Sequence, residues 1–89
     1  MTMMSEEIEL GKAIFIGIVH DSAPAVEVKF NDAGHGYYKV LLIGRSSTSR
    51  RVSEENLADL AASGGGGVQA DIKLRIKEAL EEIGEIGRP

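Results

Sequence analysis

Few residues in this 89-residue chain could do chemistry, and each group can be weighed by type and spacing. His20-Asp21 and His35, with Asp32 as a carboxylate, could ligate a metal only if the chain brought them together. Both histidines fall in expected turns at opposite ends of one strand. A six-residue strand spans roughly 20 Å, so the two are expected to lie apart in solvated turns. Ser46, Ser47 and Ser49 could act as nucleophiles only beside a base that a third group orients. No histidine is near them in sequence, and no Gly-x-Ser-x-Gly elbow is present. Gly64 to Gly67 precede a helix and invite a phosphate-cradle reading. A phosphate loop follows a buried strand and continues into Lys-Ser or Lys-Thr, whereas here a helix precedes and no Lys follows. The run therefore reads as a flexible linker. The expectation is a chain that is not an enzyme, with no catalytic residues, no metal site and no cofactor.

Charge is the more informative feature. The formal net charge is −4, which opposes general attraction to nucleic acid or anionic membrane. Its distribution is uneven. Residues 1–36 hold six acids and two bases, residues 37–53 hold four bases and no acid, and residues 54–89 hold eight acids and four bases. Lys39, Arg45, Arg50 and Arg51 thus form a basic segment beside Tyr37 and Tyr38. Arginine forks suit phosphate or carboxylate, and tyrosines stack on bases. Among the arginines, Arg51 is the better candidate, because its parity is opposite to that of Val52, which should point inward. The same charges would also protect an edge strand from further pairing. In the C-terminal part, Glu78, Glu81, Glu82 and Glu85 surround Leu74 on one face of an expected helix. Like charges four residues apart cost a little helix stability. Carboxylates around an apolar anchor suit a basic protein surface.

The elements that position these groups follow from periodicity. From Ile8 to Val19 the even positions read Ile8, Leu10, Lys12, Ile14, Ile16 and Ile18, which predicts a strand with a bulge or bend at Gly11. A helix over Ile8–Lys12 is the alternative for its first part. His20 to Pro24 is a turn. Ala25 to Phe30 alternates cleanly, with Val26, Val28 and Phe30 inward. Asn31 to Gly36 is a hairpin loop. Tyr37 to Ile43 is a near-continuous apolar run and reads as a central strand. Thr48 to Val52 is a short edge strand. Ser53 caps a helix over Glu54–Ala62, with Glu54 and Glu55 at its positive start and Val52 and Leu57 as a hydrophobic staple. A second helix runs from Val68 to Ile83, with Val68, Ile72, Ile76, Ala79, Leu80 and Ile83 in one stripe. The expected fold is α+β: a four-stranded antiparallel β-meander followed by two α-helices packed on one face, ββββαα. Residues 1–7 read as a flexible N-terminus and residues 8–87 as a single domain.

Composition bounds the rest. The absence of cysteine removes disulfides and Cys-based metal sites. The longest apolar stretch, Ala13 to Val19, is far short of the roughly 20 residues of a spanning helix. The N-terminus carries glutamates where a signal peptide has Lys or Arg. These features predict a cytoplasmic chain without membrane contact.

The segment from Val52 to Ile83, with its Val-Ser-Glu-Glu-Asn-Leu helix start and its Ile-x-x-x-Ile-x-x-Ala-Leu second helix, covers about a third of the chain. It resembles many small bacterial and phage proteins of unknown function. In size, acidity and lack of catalytic groups, the chain is also similar to phage-encoded inhibitors of host defence, such as anti-CRISPR proteins. That likeness is one of character and carries over no residue. It implies a non-enzymatic protein that occupies a surface of a nucleic-acid-handling complex. The residues lead to the same expectation, a protein-binding module acting through Leu74, Glu78, Glu81, Glu82 and Glu85. The alternatives are nucleic-acid binding through the basic hairpin 37–53, and a homodimer or larger homo-oligomer using Leu74 or the edge strand.

Overall fold

A computed structural model describes residues 5–63 and 67–87, and the chain runs α1 (Ser5–Ser22), β1 (Glu27–Gly34), β2 (Tyr37–Ile43), β3 (Ser47–Ser53), α2 (Glu54–Ser63) and α3 (Gly67–Glu82). The expected four strands are therefore three, and the expected first strand is a helix. Along α1 the buried line is Ile8, Gly11, Phe15 and Val19, spaced by three and four residues. That is the helical period, and it carries Glu6 and Glu7 into the first turn and His20 into the last. Residues 5–7 belong to this helix, and residues 1–4 lie outside the described residues.

Gly11 is no bulge. It is where α1 crosses α2: a Cβ added there would fall on the Leu57 carbonyl oxygen and lie 2.6 Å from its carbon. Only a residue without a side chain allows the two helices this approach.

The strands form an antiparallel meander in the order β1-β2-β3. Phe30 faces Val40, which faces Arg50, and Val28 faces Leu42, which faces Thr48. The expected 31–36 loop is mostly strand. The chain reverses in the two residues His35 and Gly36, both at positive φ (55° and 79°), the signature of a tight hairpin turn. Asp32 prepares it by accepting a 2.8 Å bond from the Gly34 N–H, beside the register shift between Asp32 and Gly34.

One face of the sheet meets the helices. Val40, Leu42 and Val52 join Phe15, Val19, Leu57, Leu60, Ile72, Ile76, Ala79, Leu80 and Ile83 in a single apolar cluster. Phe15 sits at its centre, edge-on to Phe30 at 5.4 Å between ring centroids. The other face, with Lys29, Asn31, Tyr37, Lys39 and Arg51, is exposed. The helix starts and ends follow local signals. The Ser53 hydroxyl accepts the Asn56 N–H at 3.0 Å, which caps α2. Gly84, at φ 75°, ends the helical path after α3. Of the glycine run, Gly67 opens α3, and residues 64–66 lie outside the described residues.

Candidate functional site

The two charged groups expected to be rival sites in fact touch each other. The β2–β3 turn and β3 lie against the C-terminal end of α3. There Arg50 pairs with Glu82 at 3.3 Å, and the Arg45 N–H donates to a Glu85 carboxylate oxygen at 2.8 Å. Glu85 also fills the space above Gly44. Arg50 is held from behind, donating to the Thr48 hydroxyl at 2.7 Å and to the Ser49 carbonyl at 2.8 Å.

The Thr48 hydroxyl and the Arg50 guanidinium together hold the Glu82 carboxyl below its ordinary value of 4.5. A folded-state pKa below the unfolded one stabilises the fold above about pH 4.5 and loses that contribution as pH falls through the folded value. Glu82→Gln is therefore expected to flatten the acid limb of the stability–pH curve, measured by urea unfolding in steps from neutral to acid. An unchanged acid limb would show that the pair contributes nothing to the fold.

With Glu82 and Glu85 engaged, the free acidic set is smaller than the four glutamates expected around Leu74. Leu74 is 56% exposed, with Glu78 exposed and Glu81 half-buried on the same face of α3. Among the described residues neither glutamate has an ion-pair partner. Asp71, on the flank, pairs with Arg75 at 3.3 Å.

The pleat splits the basic set as well. Arg50 points to the helix side and Arg45 sits in the turn. Lys39 and Arg51 stand directly opposite each other on the uncovered face. The Arg51 guanidinium lies 5.5 Å from the Tyr37 ring centre, a cation–π distance. Arg51 is exposed and Val52 buried, as their parity requires. Tyr38 is on the inner face, edge-on to Phe30 and beneath the Lys12 ammonium, which lies 4.2 Å from its ring centre. Burial opposes the charge on Lys12, but the 2.8 Å bond to Glu9 and the nearby Tyr38 outweigh it and raise its pKa. Lys12 thus closes one end of the aromatic cluster, a role hidden while residues 8–19 read as a strand.

The histidines remain at opposite ends of β1. His20 Nε2 is 2.9 Å from the Val26 carbonyl and donates to it, while His35 is in the hairpin turn. Among the described residues, no three His, Asp or Glu side chains are grouped to hold a metal ion. No described helix is long and apolar enough to cross a membrane.

No family model, curated protein or solved structure matches this chain. The likeness in character to phage inhibitors gains nothing from these comparisons, and any functional reading rests on the faces just described.

Proposed function

We propose that this chain is a non-enzymatic protein-binding module whose contact surface is the outward face of α3, centred on Leu74. The observation that carries the reading is a half-exposed leucine with Glu78 and Glu81 beside it, neither of them in an ion pair among the described residues. An apolar anchor with two carboxylates beside it fits a basic protein surface: the anchor supplies binding energy and the charges set orientation and approach. A complex that handles nucleic acid presents such a surface. Glu82 is held by the Arg50 guanidinium and Glu85 by the Arg45 main-chain N–H, so the contact residues reduce to Leu74, Glu78 and Glu81.

The uncovered sheet face supports a second reading. Lys39 opposite Arg51, with Tyr37 under the guanidinium, gives two cations and a ring suited to phosphate and base.

One experiment separates the two. The chain is used to capture partners from nuclease-treated native lysate, as wild type, as Leu74→Ala/Glu78→Lys/Glu81→Lys, and as Lys39→Ala/Arg51→Ala. A protein retained by wild type and lost only with the α3 variant is the expected result. Retention by the α3 variant, with loss by the sheet variant, would overturn the first reading. Binding of single-stranded probes whose salt slope falls by about 1 in Arg51→Ala would establish the second.

A further inference from the structure

Helix α1 carries more apolar side chain than its own fold buries. Ile8, Phe15 and Val19 face the core, yet Leu10 is 53% exposed on another flank. On the same flank Ile14 and Ile18 are only half-buried, and Ala13 and Gly17 are exposed. At 100° per residue, Leu10, Ile14, Gly17, Ile18 and Asp21 form one stripe about 100° wide. Towards the C-terminal end of α1 this stripe opens into a groove of about 410 Å³ against α3. Ile18, Ile76, Leu80 and Ile86 line it, and Asp21, Lys73 and Lys77 stand on its rim.

We propose that the cover is a second copy of this chain, with the two α1 helices packed antiparallel about a twofold axis near Ile14. A twofold contact requires one patch to be complementary to itself, and this flank is. With Ile14 facing its counterpart, Leu10 of each copy lies over Ile18 of the other and enters the mouth of the apolar groove. Glu6 and Glu7, both exposed, lie one turn beyond Leu10 and come over the rim carrying Lys73 and Lys77 of the second copy. Asp21, which lies in the same stripe and faces Glu7 of the second copy in this register, offsets part of that attraction. The two lysines outweigh it, leaving the rim basic where two acids arrive. Gly17 has open space where a Cβ would stand, and with Ala13 it lets the two backbones approach closely. The contact uses the Lys73–Lys77 flank of α3 and leaves Leu74 and Glu78 outward, so it is independent of the reading above.

Sedimentation equilibrium of the full chain, from micromolar to millimolar concentration, tests the proposal. Wild type is expected to move from the 9.5 kDa of one chain to twice that mass. Leu10→Glu is expected to remain a single chain with an unchanged circular dichroism spectrum. Glu6→Lys/Glu7→Lys and Lys73→Glu/Lys77→Glu are each expected to weaken self-association by roughly tenfold or more, and a mixture of the two variants to pair with each other. That rescue excludes simple misfolding as the cause of either loss. Three results would overturn the proposal: a wild type that stays at 9.5 kDa throughout, a dimer that survives Leu10→Glu but not Leu74→Glu, or variants that fail to pair when mixed.

Discussion

Replacing Gly11 by alanine is expected to lower the thermal midpoint by roughly 8–16 °C, although alanine is the better helix former. The added carbon would meet the Leu57 carbonyl, which is main chain inside α2 and cannot rotate aside. The strain can be relieved only by moving α1 off α2. That movement loosens Ile8 and Phe15 on one helix and Leu57 and Leu60 on the other, all of them buried. Overpacking of a closely fitted contact costs about 1–3 kcal/mol, and a main-chain obstacle belongs at the upper end. The gain of about 1 kcal/mol in helix propensity offsets only part of it. Gly17 is the control, because nothing lies within 4 Å of its added carbon. Gly17→Ala, measured at a concentration where the chain is single, should stabilise by about 0.5–1 kcal/mol. If the two substitutions shift urea unfolding alike, α1 does not cross α2 at Gly11.

The same glycine explains why the first helix is not legible in the sequence. Its buried line contains a residue with no side chain, so a search for apolar periodicity sees Ile8, a gap, and then Phe15. Ile14, Ile16 and Ile18 meanwhile alternate, and isoleucine favours strands. Period two wins the count, while the helical period carries the packing. Elements whose signals are local and redundant read correctly. Tyr37–Ile43 is a strand with those same bounds, Ser53 caps α2, and the stripe from Ile72 to Ile83 is the buried side of α3.

The candidate site divides along the same boundary. The outward parity of Arg51 depends only on its neighbour Val52, so it is legible. The pairing of Arg50 with Glu82 joins residues 32 apart in the chain, and no local pattern reports it. Two charge clusters of opposite sign therefore read as two sites, whereas Arg50 from one and Glu82 and Glu85 from the other are spent holding the β2–β3 turn against α3, Glu85 on the main-chain N–H of Arg45. What remains outward is a smaller acidic face on one side and a smaller basic face on the other.

Truncating Phe15 to alanine is expected to cost about 3–4 kcal/mol, against about 1 kcal/mol for Ile16→Ala. The contrast tests the corrected fold directly. In a strand over residues 8–19, Ile14, Ile16 and Ile18 would share the inner face and Phe15 would point away from it. In α1, Phe15 is 3% exposed and edge-on to Phe30. It also borders the seam between β3 and α3 with Leu42, Val52, Ile72, Ile76 and Ala79. That seam has only about 10 Å³ of free space, so a deleted ring leaves a hole that close-packed neighbours on three elements cannot fill together. Ile16 is half-buried and stands outside the apolar cluster, so its loss leaves no cavity. A domain of this size has about 5–9 kcal/mol in total, so Phe15→Ala takes away a large part of it. Phe15→Leu keeps most of the volume and should cost about 1 kcal/mol, which keeps the comparison measurable if the alanine variant is too unstable. Urea unfolding with an unchanged slope gives all three values. A larger loss at Ile16 than at Phe15 would return residues 8–19 to a strand.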